Sequence, residues 1–319
     1  MIRLQATPNT WRRLLLLGIW SLLGVGVALS ANKSDILTTS HNLSATGPGP
    51  VTSQQTEVCI FCHTPHNSSI ELKPLWNRQL SVQTYSLYTS STMKAAPQQP
   101  GQMSKLCLSC HDGTIAMGQT IANGLIPTAG VMSAKAAVGP DLSKDHPLAF
   151  TLVDDGQLAL SLFQSPPASR DSNVKLFNGQ IECSSCHDPH TTKQDPVSNK
   201  FLVRSNAGGL LCLACHDPSR SQPNPLNGWN GGSHQASSNS TPSSAAFGPY
   251  GNVASNACVN CHLPHRAPPN ASPRLLRDYE EAVCSVCHSG TNLVPSISNV
   301  MAEFSKTYAH PTTKLSGLH

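Results

Sequence analysis

Mostly irregular, looping chain with short α-helices and very little β structure is the fold class that this 319-residue sequence predicts. Three observations lead there. The chain contains 25 Pro and 22 Gly, residues that end regular elements and favour wrapping loops. Aromatic residues make up only 5%, few for a chain of this length that has to build its own core. All 12 cysteines fall into six copies of one pattern, Cys-x-x-Cys-His, with none left over. Something other than side chains must therefore supply much of the buried apolar surface.

The copies are Cys59/Cys62/His63, Cys107/Cys110/His111, Cys183/Cys186/His187, Cys212/Cys215/His216, Cys258/Cys261/His262 and Cys284/Cys287/His288. Cys-x-x-Cys-His is the attachment signature of c-type haem. Its two thiols form thioethers with the porphyrin vinyl groups, and the adjacent histidine is the proximal iron ligand. One short turn can present both sulfurs to one porphyrin edge. A disulfide framework also gives an even count, but not six identical spacings each closed by histidine. Zinc ribbons pair Cys-x-x-Cys units without requiring a histidine after each. Six covalently bound haem c groups, stacked to form the core, are the expectation, and without them the chain should be largely unfolded.

The N-terminus reads as a secretory signal over residues 1–30. Arg3, Arg12 and Arg13 precede an apolar run, Leu14 to Leu29, and Ala28-Leu29-Ser30 and Ala31 offer small-residue cleavage sites. The run is short for a membrane span, and no later segment is apolar enough to be one. A soluble exported protein of the periplasm or the cell surface is expected. Haem attachment to an unfolded chain after export argues against the twin-arginine route. The formal charge of +4 includes three signal arginines, so the mature chain is near neutral. Roughly twelve haem propionates would make the holoprotein anionic, which gives nucleic-acid binding no support.

Beyond the signal the motifs fall in three pairs. The first two-haem unit is taken as 31–144, the second as 145–225, and the third, with the tail, as 226–319. Each opens with Cys-x-x-Cys-His-x-Pro-His, ending at His66, His190 or His265, and closes with a motif lacking the extra histidine. Thr84 to Tyr88 reads as a short extended segment. The stretch from 217 to 256 is rich in Gly, Ser, Asn and Pro and reads as loop. An aliphatic-Arg element, Phe201-Leu202-Val203-Arg204, recurs as Leu275-Leu276-Arg277.

This arrangement resembles the doubled-CXXCH (paired CXXCH) family of multihaem c-type cytochromes, as a hexahaem member, and in style the cytochromes c3 and c7. The resemblance spans about residues 41 to 310. It implies an electron carrier or conduit whose partners are redox protein donors and acceptors; some proteins of this type assemble into extracellular filaments.

Eight histidines remain after the six proximal ones: His41, His66, His146, His190, His234, His265, His310 and His319. His66 lies three residues from His63, so in a helical turn both project to one side and cannot clamp one haem from two faces. His66 is therefore expected on the haem of Cys107/Cys110, His190 on that of Cys212/Cys215, and His265 on that of Cys284/Cys287. The upstream histidines are then expected on the opening haems: His41 for Cys59/Cys62, His146 for Cys183/Cys186, and His234 for Cys258/Cys261. His310 reads either as a surface residue or as an alternate distal ligand, in place of His234 or in another subunit, and His319 reads as a surface residue.

Bis-histidine iron has no open position, and Met93, Met103, Met117, Met132 and Met301 read as packing rather than as axial ligands. Outer-sphere electron transfer without catalytic residues is the resulting expectation. A reductase or oxidase of a small nitrogen or sulfur compound would need a five-coordinate haem. Lys in place of the motif histidine, or a tyrosine crosslink, often marks one, and all six motifs end in His. Asp154-Asp155 and Glu280-Glu281 read as solvated charge rather than as an acid/base pair.

Overall fold

In this computed structural model the described residues are 33–69, 75–91, 93–154, 156, 158–220, 229–241, 247–268, 274–289, 299–304 and 306–308. The signal segment, Asp155, His310 and His319 fall outside them. The chain is mostly irregular, as its Pro and Gly content predicts. Its longest described α-helices are Gln102–His111 and Glu280–His288. Among the described residues, named β strands amount to two antiparallel pairs of two residues each: Thr52–Ser53 with Thr128–Ala129, and Gln119–Thr120 with Gly124–Leu125. The segment expected to be extended, Thr84 to Tyr88, contributes one bridge, Ser86 to Asp141, with Tyr85 and Tyr88 buried. Side-chain cores are small. One gathers Leu43, Val51, Phe61 and Ile126, another Tyr85, Leu108 and Leu142.

The threefold repeat is structural as well as sequential. In each unit the chain after the opening motif turns back and is clasped by two backbone bonds. Cys62 O accepts from Asn77 N at 2.8 Å, and Thr64 N donates to Leu75 O at 3.0 Å. The second unit repeats this with Val203 N to Cys186 O (2.9 Å) and Asp188 N to Phe201 O (2.7 Å). The third has Arg277 N to Cys261 O (2.9 Å) and Leu263 N to Leu275 O (2.8 Å). The three proximal histidines bridge Trp76, Leu202 and Leu276 at the same point. The preceding residue is left-handed each time: φ is 55° at Leu75, 57° at Phe201 and 55° at Leu275. Bulky side chains rarely adopt that region, so a recurrent clasp must hold them there.

This register separates the arginines of the aliphatic-Arg element. Arg78 and Arg204 occupy the same clasp position, whereas Arg277 sits one residue earlier. Arg78 is 0% exposed and donates to five neutral acceptors. Nε bonds Ser109 Oγ at 3.2 Å, and Nη2 bonds Ser109 O at 2.7 Å and Ala116 O at 3.0 Å. Nη1 bonds Met117 O at 2.6 Å and Gln119 O at 2.9 Å. Arg204 instead pairs with the Asp171 carboxylate. Arg277 donates to Val259 O at 2.7 Å and lies 5.7 Å from the Phe247 ring centre.

The units interlock through bonds between sequence-distant segments. His146 N donates to Pro264 O at 2.7 Å, and Ala267 N donates to Lys144 O at 3.0 Å. Ser104 Oγ bonds the buried Glu182 carboxylate and accepts from Cys183 N at 3.0 Å. Asp195, also buried, takes the Tyr250 hydroxyl and the Asn206 amide. Two short turns correct the loop expected over 217–256. Ser233–Ala236 carries His234, and Val253–Asn256 is capped by the Asn252 side chain, which accepts from Ser255 N at 2.7 Å. Low hydrophobic periodicity hides turns this short, because a cap and one backbone bond are enough to set them. Glu280 and Glu281 lie in the first turn of the last long helix, where carboxylates oppose its dipole.

Candidate haem-binding sites

Each Cys-x-x-Cys-His is one helical turn. The motif histidine donates its backbone N–H to the first cysteine's carbonyl at His63 (2.8 Å), His187 (3.0 Å), His216 (2.9 Å) and His262 (2.9 Å). The other two motifs end the helices Gln102–His111 and Glu280–His288. A single turn brings both sulfurs and the imidazole to one side, the local geometry that thioether attachment requires. None of the 12 cysteines is paired in a disulfide.

Consecutive motifs are neighbours along the whole chain. Cys62 interacts electrostatically with Cys110, Cys186 with Cys215, and Cys261 with Cys284. Between units Cys107 interacts with Cys183 and Cys212 with Cys258. Gly209 makes the second contact. Its φ is 76°, and a Cβ there would sit 3.0 Å from Cys258 Sγ. Burial pushes the Cys62 and Cys186 thiols up to about 12.

The proximal imidazoles are oriented through Nδ1. That of His111 bonds Ala136 O at 2.8 Å, that of His187 bonds Lys200 O at 2.8 Å, and that of His262 bonds Arg274 O at 2.9 Å. With a carbonyl as acceptor, Nδ1 carries the proton and Nε2 is the nitrogen left for a metal. Four of the distal candidates face a proximal ring. His41 lies 6.1 Å from His111, His190 6.2 Å from His63, His146 6.4 Å from His216, and His265 6.0 Å from His187, centre to centre. A fifth, His234, lies 6.0 Å from His288. A metal held by two imidazole nitrogens at about 2 Å each places the ring centres about 6 Å apart, so all five pairs fit a shared iron.

No group of three or more His, Cys, Asp or Glu is placed to hold a metal among the described residues. Histidines meeting in twos are what a porphyrin needs, since its own four nitrogens complete the iron's coordination.

These positions replace the pairings expected from sequence proximity. The structure sets His41 against His111 rather than His63, His146 against His216 rather than His187, and His234 against His288 rather than His262. It sets His190 against His63, in the preceding unit, and His265 against His187, again one unit back. His66 is exposed and lies against no second imidazole among the described residues, nor does His262.

Burial is uneven across the pairs: the His190 and His265 side chains are 46% and 54% exposed, whereas His41, His146 and His187 are partly buried. Burial lowers His41, His146 and His187 to about 4, helped at His41 and His146 by the facing imidazole and opposed by backbone carbonyls. His41 Nδ1 makes no well-formed hydrogen bond, although the Pro189 carbonyl is near enough to favour its proton. Neutral imidazole is the form that binds a metal. The Phe201 ring, from the second unit, packs 4.5 Å from His41. Two carboxylates go unremarked in the sequence reading: Asp188, 2.8 Å from His190 Nδ1, and Asp145, 2.9 Å from His265 Nδ1. Asp145 directly precedes His146, the one local hint of its place.

Sites of this kind define a protein that carries covalently bound c-type haem. Residues 175–221 and 251–293 each match the family model described as the doubled CXXCH motif, which supports a multihaem c-type cytochrome family for this chain. The first unit lies outside both matched stretches but shares their clasp. Among curated proteins none is similar enough to match.

Proposed function

We propose that this chain is an exported hexahaem c-type cytochrome that carries electrons by outer-sphere transfer through closely spaced bis-histidine haems. The observation that carries the reading is the set of five imidazole pairs, 6.0 to 6.4 Å apart, on motifs that neighbour one another in chain order. Bound haem supplies one-electron redox chemistry. The chain's cysteines would tether it, Nδ1 bonds fix His111, His146, His187, His190 and His265, and burial keeps His41, His146 and His187 neutral and ready to ligate. The residues that would hold the iron are His63 with His190, His111 with His41, His187 with His265, His216 with His146, and His288 with His234. Five of the six motif histidines have a second imidazole placed to complete their site, which favours a carrier over a reductase. Low-temperature EPR of the oxidised monomer should show at least five low-spin ferric centres per chain. A high-spin signal near g ~6 amounting to more than one iron would overturn this reading and put the enzyme ahead.

A second reading, self-association into a filament, is favoured by what the pairing leaves over. The Pro-His of each later unit serves the opening motif of the unit before it. Among the described residues that offset leaves His66 and His262 each without a facing imidazole. His66 of a second copy would complete His262, a head-to-tail contact that does not close on itself and so propagates. Monomer and assembly are separable by size, and assembly should coincide with loss of the one high-spin signal. His66→Ala should abolish both the assembly and that loss. If His310→Ala, and not His66→Ala, decides the sixth spin state, the ligand comes from within the chain and this reading fails. Export to the periplasm or cell surface, with redox proteins as donor and acceptor, completes the proposal.

A further inference from the structure

We propose that the chain sorts its paired haems into two electronic classes, with crossed imidazoles inside a two-haem unit and aligned imidazoles where two units meet. The inference rests on the pairing proposed above and deepens it. His41 with His111, His146 with His216, and His234 with His288 each draw both rings from one unit. Their planes stand at 89°, 80° and 83°. His63 with His190 and His187 with His265 each draw the second ring from the next unit, and their planes stand at 20° and 41°. The two sets do not overlap. The closing motif of every unit is crossed, and the opening motifs of the first and second units are aligned.

With both Nε2 atoms on one iron, the iron–nitrogen axis lies in both ring planes, so the interplanar angle is the twist about that axis. Each imidazole donates π density into the iron dπ orbital that stands perpendicular to its own ring. Aligned rings raise the same orbital and split the dπ pair, whereas crossed rings raise both and leave them nearly equal. The two contributions combine as the cosine of the twist. About nine-tenths of the full splitting survives at 20° and about three-quarters at 41°, but less than about a fifth at 80° or more. An aligned ferric haem therefore holds its unpaired electron in one orbital of fixed direction across the porphyrin. A crossed one shares it between two.

Hydrogen bonds hold the planes. A bond from Nδ1–H lies in the ring plane and so opposes rotation about the iron–nitrogen bond. In the crossed set, His111 is held by Ala136 O at 2.8 Å and His146 by Pro147 O at 3.0 Å. In the aligned set, His190 is held by Asp188 Oδ1 at 2.8 Å, His187 by Lys200 O at 2.8 Å and His265 by Asp145 Oδ1 at 2.9 Å. Two of these acceptors sit on the clasp, where Asp188 N donates to Phe201 O at 2.7 Å, one residue after Lys200. The third is tied to the segment around His265 by His146 N on Pro264 O and Ala267 N on Lys144 O. Bonds between units thus set the plane of His265, which is why its geometry belongs to the junction.

The test is low-temperature EPR of the fully oxidised holoprotein monomer. Near-equal dπ levels leave a large orbital moment, so crossed haems give a strongly anisotropic low-spin signal and aligned haems a rhombic one. At least three centres should fall in the first class and at least two in the second. The largest g value should rise with the twist: lowest for the haem on Cys59/Cys62, next for Cys183/Cys186, and highest for the three closing haems. His190→Ala and His265→Ala should each delete one rhombic signal and open one iron, while His41→Ala should delete an anisotropic one. Deletion of an anisotropic signal by His190→Ala or His265→Ala, or one class for every centre, would sink the assignment and leave the pairing intact. A low-spin count unchanged by these variants would show instead that the pairing itself is wrong. Should a variant lose haem, the haem-methyl NMR shifts of the wild type decide. Those of the Cys59/Cys62 and Cys183/Cys186 haems must spread widely and those of the closing haems narrowly; the reverse overturns the proposal.

Discussion

A chain carrying both His187→Ala and His265→Ala should hold five haems with no more high-spin iron than the His187→Ala chain alone. Removing the motif histidine prevents a stable haem at Cys183/Cys186, so one iron is lost in either variant. In the structure His265 faces His187 at 6.0 Å, so under the proposed pairing the iron it would ligate is the one already gone. The sequence-order pairing, with His265 on the haem of Cys284/Cys287, predicts instead one new high-spin centre in the double variant. Non-additivity of this kind is the signature of two groups that share one interaction. The measurement is haem content by the pyridine haemochrome and spin state by EPR, with carbon monoxide binding to the reduced protein as an independent count of open irons. In the His265→Ala single variant one of six centres should turn five-coordinate under either pairing, so only the double variant separates them.

Arg78→Ala should cost about 3–5 kcal/mol of holoprotein stability, the range for stripping the partner from buried polar groups. Arg78 is 0% exposed, and its guanidinium ties the clasp to the end of helix Gln102–His111 and to the carbonyls of Ala116, Met117 and Gln119. Truncation leaves a void and orphans those carbonyls in a fully buried site. Arg78→Lys keeps the charge, but an ammonium cannot serve acceptors spread around a planar fork, so it should recover less than half of the loss. Arg204→Ala removes a partly exposed ion pair with Asp171 and should cost only ~1 kcal/mol. Urea unfolding followed by Soret circular dichroism measures all three. A cost for Arg78→Ala no larger than that for Arg204→Ala would show that the five bonds exchange freely with water.

What the sequence settled by itself is everything that a few adjacent residues decide. Cys59, Cys62 and His63 lie within one turn, so the reading of a c-type haem motif comes from spacing alone. The scarcity of aromatics and the Pro and Gly content likewise foretold loops, short helices and almost no β structure. The threefold doubling was legible because the repeat is written in full, and the structure adds that it is built on the same clasp, with left-handed Leu75, Phe201 and Leu275.

The tertiary structure alone decided which histidine meets which. The sequence argument assumed that an imidazole serves the nearest motif in its own unit. The clasp defeats that assumption: Asp188 N on Phe201 O and Leu263 N on Leu275 O end the helical turn after the motif. His190 and His265 then project away from their own unit and toward the one before. Their targets depend on how the units are set against each other, through contacts such as Ala267 with Lys144 and Cys107 with Cys183. Those contacts join residues far apart in the chain, and no local spacing encodes them. Asp145 and Arg78 escaped notice for the same reason. An Asp beside a His, or an Arg after a Trp-Asn pair, acquires meaning only when burial removes water and a distant segment supplies the partner.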